Sequence, residues 1–313
     1  MTTTLPSVSS GQTHWAVVLA GGDGTRLQSL TLKISGDSRP KQFCSIFGGK
    51  SLLSQTWQRL GPLFRSDRTM SVLTRAHERF YREELTTVET SHILVQPENR
   101  GTGVAITAAI LRILRSDVEA IVAFFPCDHY YTDGDGFALT IRSAIGFAGE
   151  HPTSLILLGA QAHYPEVEYG WIEPGPAVRD LPLWRVNRFW EKPSLQEAQA
   201  LFRRRCLWNT FVTIGHAETF LELLCAEIPD VVSSVAAALT DNDLDSAYRG
   251  VRTVDFSREV LVPQHHRLLV VRDAVSGWAD LGNPTRVIDT LTRNNIEPPW
   301  LSEVRSQANV AKS

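Results

Sequence analysis

Residues 15–27 read WAVVLAGGDGTRL, an apolar run that passes directly into a glycine-rich loop. An unbroken apolar run of this kind is typical of a strand that is buried on both faces of a sheet. Three glycines after such a strand let the backbone come close to a ligand and point its N–H groups at an anion. The loop has neither the GxGxxG of dinucleotide-binding folds nor the Gly-Lys-Ser/Thr of a P-loop, so an ordinary strand-to-helix turn is the alternative interpretation.

Short apolar runs of the same kind recur along the first half of the chain, and helical patterns separate them. This alternation predicts an α/β fold with a Rossmann-like, mostly parallel sheet flanked by helices. Ligands of such sheets bind at the carboxyl ends of the strands. We expect strands at 16–20, 70–74, 93–97, 120–126 and 155–159, and helices at 51–60, 104–115 and 137–149.

The pattern changes after about residue 159, where shorter strands are interrupted by helices. These later elements predict a second, smaller lobe grafted onto the first sheet. Its strands are expected at 169–175, 184–192 and 252–255, and its helices at 194–205 and 217–226. The predicted organisation is a disordered N-terminus at 1–13, a folded domain at 14–292 that divides near residue 150, and a C-terminal tail at 293–313.

Charge and composition argue against several classes of protein. Lysine and arginine number 31 against 34 aspartate and glutamate residues, a net charge of −3, and no basic stripe suited to nucleic acid stands out. Residues 1–14 lack the charged start and long apolar stretch of a signal peptide, and the run 15–20 is too short to span a bilayer. The four cysteines lie far apart, without the spacing of a zinc site or a disulfide framework. We therefore predict a cytoplasmic protein without a nucleic-acid or membrane partner.

Polar residues near the glycine-rich loop suit a nucleotide ligand. Arg26 lies at the end of the loop, and Lys41 follows in the stretch RPKQF at 39–43. Two cations that converge on such a loop can hold a triphosphate. At the end of the strand predicted at 93–97, Gln96 and Glu98 carry an amide and a carboxylate that could read the edge of a nucleobase. The glycines behind them could instead simply cap a helix.

An aspartate at the end of a predicted strand is a candidate ligand of a magnesium ion, and a second aspartate stands beside a glycine far downstream. Asp128 follows the apolar run at 120–126, at the sheet edge where α/β enzymes keep their ligands. A magnesium ion that bridges phosphates needs one or two carboxylates together with water. Asp280 lies in SGWADLG at 276–282 and can share the ion only if the fold brings it to Asp128. A cap of the following turn is the alternative interpretation of Asp128, and on sequence alone Asp280 is best interpreted as a turn residue.

A series of motifs stands in an order that resembles the sugar-phosphate nucleotidyltransferases: LAGGDGTRL, RPKQF, ENRGT, PCDH and GWADLG. The PKQF form particularly resembles mannose-1-phosphate guanylyltransferases. The resemblance spans about residues 15–287 and implies a nucleotidyltransferase fold of the glycosyltransferase-A type, with a nucleotide-binding half at 14–150 and a sugar-phosphate half at 151–292. It implies magnesium ligation by Asp128 and Asp280, phosphate contacts for Arg26 and Lys41, and other nucleotide contacts for Leu19, Ala20, Gly21, Gly22, Gly24, Thr25, Gln96, Glu98 and Gly101.

Three further stretches resemble the sugar-binding motifs of the same family. FWEKP places an acid and a base at a predicted strand end, where Lys192 can neutralise a sugar phosphate and Glu191 can accept hydrogen bonds from hydroxyls. A solvated ion pair is the alternative interpretation of these two residues. EYGWI and WNT resemble a strand and a turn of the family, which implies sugar contacts for Gly170 and Asn209.

The chain departs from the family pattern at several positions. Glu168 stands for a usual Gly or Thr, Trp171 for a Gly, and the residues at 210–211 for Ser-Gly. All of these lie in the sugar-phosphate half. Cys127 replaces a usual serine beside the predicted metal ligand Asp128. The departures leave the identity of the sugar open more than the reaction.

The residues and the resemblance together predict an enzyme that transfers a nucleoside monophosphate from a nucleoside triphosphate to a sugar 1-phosphate and releases pyrophosphate. GTP and mannose 1-phosphate are the expected substrates, Mg²⁺ is the expected cofactor, and a homodimer is the family expectation. The alternatives are a uridylyl-, thymidylyl- or adenylyltransferase that uses glucose 1-phosphate, or a non-catalytic homologue that binds a nucleotide sugar and regulates a partner. The residues expected to act in catalysis are Arg26, Lys41, Asp128, Lys192 and Asp280.

Overall fold

The computed structural model describes residues 13–85, 92–179, 181–241 and 243–302, so the predicted disorder of residues 1–12 lies outside the described residues. The strands are His14–Leu19 (β1), Thr69–Thr74 (β2), Ile93–Gln96 (β3), Ile121–Pro126 (β4), His129–Tyr131 (β5), Leu155–Gln161 (β6), Gly170–Ala177 (β7), Trp184–Glu191 (β8), Leu207–His216 (β9), Leu268–Asp273 (β10) and Trp278–Asp280 (β11). The helices are Gln28–Ser35 (α1), Leu52–Leu60 (α2), Glu78–Tyr81 (α3), Gly101–Leu114 (α4), Gly134–Glu150 (α5), Leu195–Arg203 (α6), Ala217–Glu227 (α7), Pro229–Asp241 (α8), Leu244–Gly250 (α9) and Pro284–Arg293 (α10).

A nine-stranded sheet with the order β3-β2-β1-β4-β9-β6-β10-β8-β7 forms the centre of the fold. Strands β1 to β4 pair in parallel, and β6 pairs in parallel with β10. Strands β8 and β9 pair antiparallel with each of their neighbours and therefore run opposite to the other strands of this sheet. The predicted α/β class, with a mostly parallel sheet between helices, is confirmed.

The apolar run that opens the glycine-rich stretch is a central strand, with both of its faces covered. Val17 packs in one hydrophobic cluster with α4 and α7, whereas its neighbours Ala16 and Val18 pack in another with α2 and α5. Because alternate side chains of a strand point to opposite faces, both faces of β1 must be apolar. This explains why the run shows no alternation of polar and apolar residues.

The later strands extend the first sheet instead of forming a sheet of their own. Strand β9 inserts between β4 and β6, and β8 and β7 lie at the far edge, where β7 also pairs with β9. The predicted division near residue 150 therefore runs through one continuous sheet. No helix within the described ranges is both long and apolar enough to cross a membrane.

The strand predicted at 252–255 is wrong. This segment has no regular secondary structure, and its backbone bonds to the start of α4. The Val254 N–H donates to the Arg100 carbonyl at 3.0 Å, and the Gly103 N–H donates to the Val254 carbonyl at 2.9 Å. The β-branched residues suggested a strand, but the free N–H groups of a helix N-terminus provided the partner instead.

The close approach of this segment explains why the chain has glycine at 101. Gly101 has φ +84°, and a Cβ there would lie 2.3 Å from the Val254 carbonyl oxygen. We predict that Gly101→Ala lowers the free energy of unfolding by about 2 kcal/mol or more, because it adds both a clash and a strained φ. Urea denaturation measures this loss. Gly134→Ala is the matched control, since a Cβ at Gly134 meets nothing within 4 Å, and an unchanged Gly101→Ala protein would contradict this packing.

The chain beyond residue 293 packs against the domain as far as the structure describes it. Trp300 and Leu301 are buried in a cluster with Leu27, Ile46 and Leu291. The Trp300 indole N–H donates to the Ile46 carbonyl at 2.8 Å. The end of the predicted tail, from residue 303 onward, lies outside the described residues.

Candidate active site

A cleft of about 500 Å³ opens at the carboxyl ends of β1, β3 and β4 and reaches across to β7, β8 and β9. This is the edge of the sheet where α/β folds bind ligands. Most of the residues singled out from the sequence line it: Leu19, Gly21, Gly22, Arg26, Lys41, Gln96, Gly101, Asp128, Gly170, Glu191, Lys192, Asn209 and Asp280.

Four of the predicted nucleotide contacts do not line this cleft. Ala20 is buried and continues β1, since its N–H donates to the Val72 carbonyl at 2.9 Å. Gly24 has φ +61° and packs against the backbone of residues 40–41, where only glycine fits easily. Thr25 is exposed at the start of a 3₁₀ turn. Glu98 is exposed and pairs with Arg100 at 2.7 Å.

The two distant aspartates meet because a two-stranded ladder joins the segments that carry them. In the pairing of β5 with β11, Asp280 lies opposite His129, the residue after Asp128. Lys41 Nζ lies 3.2 Å from Asp128 Oδ2 and 3.7 Å from Asp280 Oδ1, so one cation is shared by both carboxylates. The same ammonium donates to the Leu281 carbonyl at 3.2 Å. The fold therefore brings the two aspartates to one place, as the shared-ion hypothesis requires.

Burial and charge oppose each other in this group. Burial alone would lower the pKa of Lys41, but the charges of Asp128 and Asp280 outweigh it and leave that pKa raised. Burial would likewise raise the pKa of Asp128, but Lys41 holds the pKa of that carboxyl below its usual value. The site therefore keeps charged groups at neutral pH in a place where only 9% of the Lys41 side chain is exposed.

His129 completes the cluster and was not singled out from the sequence. Its Nδ1 accepts a hydrogen bond from the Trp278 indole at 3.1 Å, and its Nε2 lies 3.7 Å from a carboxylate oxygen of both Asp128 and Asp280. Burial lowers its pKa despite those carboxylates. Because Nδ1 accepts, the neutral ring carries its proton on Nε2, toward the two acids.

Arg286 is another residue that sequence reasoning missed. Its guanidinium donates to Asp280 at 2.7 Å, to Glu166 at 2.6 Å and to Glu168 at 2.8 Å. It also lies over the Tyr169 ring, 4.5 Å from the centroid. The sequence did contain a signal for this contact: Arg286 follows Asp280 by six residues and lies in the first turn of a helix that Asn283 caps. Arg286 therefore fixes the orientation of Asp280.

We predict that Arg286→Gln lowers the free energy of unfolding by about 3 kcal/mol, because it leaves the carboxylates of Glu166 and Asp280 buried without their partner. The side chains of all three residues are at most 12% exposed. Chemical denaturation measures the loss. Arg65→Gln is the control, since it removes an arginine from an exposed pair with Asp67 and should change stability little. Equal stabilities of the two variants would contradict this role.

The opposite wall of the cleft carries the predicted sugar-phosphate residues. Lys192 has φ +49°, and its Nζ lies 2.7 Å from Glu191 Oε1 and 3.7 Å from Asp255 Oδ2. Burial raises the pKa of Glu191, although Lys192 opposes the shift. A Cβ at Gly170 would lie 3.0 Å from Glu191 Oε2 and 3.2 Å from the Asn209 Cβ, so a larger residue there would crowd both side chains. Sequence reasoning missed Asp255, because the segment that carries it was assigned to a strand.

Asn209 lies in β9 with its side-chain carbonyl already engaged. Its Oδ1 accepts from the Phe211 N–H at 3.1 Å, and Phe211 takes φ +65°. Phe211, which replaces a usual glycine of the family pattern, lines the cleft itself. Of the two polar atoms in the Asn209 side chain, the amide nitrogen is thus the one that remains for a ligand.

Glu168, the first departure from the family pattern, bridges the two halves of the cleft. One carboxylate oxygen accepts from Arg26 of the glycine-rich loop at 2.9 Å, and the other accepts from Arg286 at 2.8 Å. The contact with Arg26 is largely exposed, so it adds little stability. It does hold the arginine of the loop at the rim of the cleft.

Comparison with known families agrees with this geometry. Residues 15–294 match the family model described as nucleotidyl transferase, which is most of the chain. The chain belongs to this family. The family resemblance suggested by the ordered motifs is confirmed.

Two curated relatives illustrate the similarity. The chain is 29% identical over 284 residues to the xanthan biosynthesis protein XanB of Xanthomonas campestris pv. campestris. It is 28% identical over 283 residues to a mannose-1-phosphate guanylyltransferase of Escherichia coli K12. These alignments cover 87% and 86% of this chain but 58% of each relative, so the chain spans little more than half the length of the curated relatives that it matches.

Solved structures share the fold. A crystal structure described as a mannose-1-phosphate geranyltransferase from Thermus thermophilus superposes with a TM-score of 0.79 at 29% identity, covering 92% of this chain and 81% of that one. A UDP-glucose pyrophosphorylase complexed with UDP-glucose superposes with a TM-score of 0.60 at 16% identity, covering 90% of this chain and 98% of that one. At that lower identity the likeness concerns the fold alone.

Proposed function

We propose that this member of the nucleotidyl transferase family transfers a nucleoside monophosphate from a nucleoside triphosphate to a sugar 1-phosphate. The observation that carries the proposal is the single cleft in which Lys41, Asp128 and Asp280 meet beside the glycine-rich loop and face Lys192 on the other wall. Two phosphate-bearing substrates can then enter from the two walls. The relative named as a mannose-1-phosphate guanylyltransferase supports GTP and mannose 1-phosphate as the substrate pair.

In this proposal, an oxygen of the sugar 1-phosphate attacks the α-phosphorus of the nucleotide in line with the departing pyrophosphate. The new bond joins that oxygen to the α-phosphorus, and the bond from the α-phosphorus to the bridging oxygen of the β-phosphate breaks. No covalent enzyme intermediate is needed. Because phosphoryl chemistry of this kind depends on positioning and charge, the chain's contribution is electrostatic.

The predicted site residues divide between the two substrates. Arg26 and Lys41, with the N–H groups of the glycine-rich loop, hold the triphosphate. Lys192 holds the incoming phosphate, and Glu191 and Asn209 bond the sugar hydroxyls. Gly170 leaves room for Glu191 to reach into the cleft.

Asp128 and Asp280 are suited to a magnesium ion that also binds substrate phosphates. Among the described residues, no group of three or more acidic, histidine or cysteine side chains is placed to hold a metal alone. Two carboxylates are nevertheless the number that Mg²⁺ commonly takes from a protein when phosphates and water complete its coordination. When bound, the ion would neutralise charge on the phosphates.

Pyrophosphate release from a grid of substrates tests the proposal. GTP, UTP, dTTP and ATP would each be combined with mannose, glucose and N-acetylglucosamine 1-phosphates in the presence of magnesium. We expect the largest signal with GTP and mannose 1-phosphate. A clear UTP or dTTP preference would keep the reaction and replace the substrate pair, and silence throughout would favour the regulatory homologue instead.

A further inference from the structure

Gln96 is held by a tyrosine that lies far from it in the sequence. Gln96 ends β3, lines the cleft and is 2% exposed. The hydroxyl of Tyr248, a residue of α9 that is 1% exposed, donates to Gln96 Oε1 at 3.0 Å. The amide of Gln96 is therefore attached on one side to the protein core.

The direction of this hydrogen bond decides which atom of the amide remains for a ligand. Because Oε1 accepts from Tyr248, the group that remains for a ligand is the amide nitrogen Nε2. This nitrogen lies beside Gly21 of the glycine-rich loop, 3.0 Å from the place that a Cβ on Gly21 would take. In the flipped orientation, Nε2 would donate to the tyrosine oxygen, and the buried hydroxyl would lose Oε1 as the acceptor of its hydrogen. An unpaired buried donor is costly, so the first orientation is favoured. Burial also raises the pKa of Tyr248, so the hydroxyl keeps its proton.

The neighbouring polar side chains of the same connection are already committed. Asn99 donates through Nδ2 to Asp23 at 2.9 Å and accepts through Oδ1 from the Gly101 N–H at 3.1 Å. Glu98 pairs with Arg100 and does not line the cleft. The Gln96 amide nitrogen lines the cleft and has no such partner on this stretch of the described chain, so we take it as the donor for a base.

We propose that Tyr248 is a positioning residue which fixes the Gln96 amide as a hydrogen-bond donor toward the nucleobase. The cleft then selects bases with a carbonyl oxygen on the edge that Gln96 reaches, as in guanine and uracil, over bases with an amino group there, as in adenine and cytosine. This inference rests on the proposed function, because it assigns a base to the cleft. The inference limits the nucleotide to one class of base. If a base presented an amino group to the Gln96 N–H, two donors would face each other and neither would have an acceptor.

ITP and ATP form the sharpest pair of probes, because they differ at the six-position of the base, carbonyl against amino. The measurement is kcat/KM for each with mannose 1-phosphate, in the wild type and in three variants. One fixed hydrogen bond to a base edge typically discriminates by roughly tenfold or more. We expect the wild type to prefer ITP by at least that factor and Tyr248→Phe to lose most of the preference.

Two further variants separate this role from a structural one. Gln96→Glu keeps an acceptor for Tyr248 but removes the donor toward the base, so the preference should shift toward ATP. It tests the inference even if Tyr248→Phe does not fold. Tyr81→Phe alters another buried tyrosine outside the cleft and should leave the ITP-to-ATP ratio unchanged. A purely structural effect would lower kcat/KM for ITP and for ATP by the same factor.

The inference is overturned if the wild type uses ITP and ATP equally well, or if a folded Tyr248→Phe protein keeps the wild-type ratio. Absence of turnover with every nucleotide would instead count against the proposed function. In that event, the dissociation constants of ITP and ATP are measured by calorimetry for the same proteins. We expect the wild type to bind ITP more tightly than ATP and Tyr248→Phe to lose most of this difference. The two failures are therefore distinguishable.

Discussion

Asp128→Asn is expected to reduce turnover by about a hundredfold or more while the protein remains folded. The variant keeps the size of the side chain but removes the charge that faces Lys41 at 3.2 Å and, in the proposed function, the magnesium ion. Steady-state pyrophosphate release at saturating substrates measures the loss, and far-UV circular dichroism with a melting curve checks the fold.

Asp67→Asn is the matched control for this substitution. Asp67 pairs with Arg65 on the surface, and it does not line the cleft. The control should keep normal turnover. If Asp128→Asn also retained near-normal turnover, the carboxylate pair would not be the catalytic centre of this protein.

Lys41→Met is expected to abolish most of the activity and also to destabilise the protein by about 2 kcal/mol, because it removes the ammonium that Asp128 and Asp280 share and leaves Arg286 as a partner of Asp280 alone. The cost is smaller than for a fully buried pair, because 30% of the Asp128 side chain is exposed. Denaturant titration and turnover measure the two effects.

Magnesium gives this variant a distinctive signature. Since an ion between the carboxylates would replace the lost ammonium, Mg²⁺ should raise the melting temperature of Lys41→Met more than that of the wild type. The double variant Lys41→Met/Asp128→Asn should recover part of the stability, because one of the two facing charges is gone. Lys50→Met, at an exposed lysine outside the cleft, is the control. A Lys41→Met protein as stable as the control would contradict the described charge balance.

Part of the central sheet could be predicted from the sequence because some of its strands carry a strong local signal, whereas β9 and β10 were not among the predicted strands. Apart from one residue at an end, the runs that became β1 and β4 are continuously apolar, and a strand buried on both faces favours that pattern. The segment at 252–255 could not be predicted in the same way. Its β-branched residues suit a strand, yet it lies against the glycines at the start of α4, a long-range contact that no local pattern reveals.

The residues of the candidate site also differ in whether a local sequence pattern reveals them. Lys41, Asp128 and Asp280 could be singled out because each stands at a strand end or in a recognisable motif. The link between the two aspartates depends on the β5–β11 ladder, which joins two segments far apart in the chain. Arg286 and Tyr248 were missed for the same reason, since each acts through partners more than a hundred residues away.

The most direct test of the central claim follows the oxygen atoms of the sugar phosphate. Mannose 1-phosphate with ¹⁸O in its non-bridging phosphate oxygens would be incubated with GTP, magnesium and the protein, and the products would be weighed by mass spectrometry. The account predicts that all of the label enters the nucleotide sugar and that pyrophosphate carries none. Label in the pyrophosphate, or release of labelled inorganic phosphate in place of a nucleotide sugar, would contradict nucleotidyl transfer by this site.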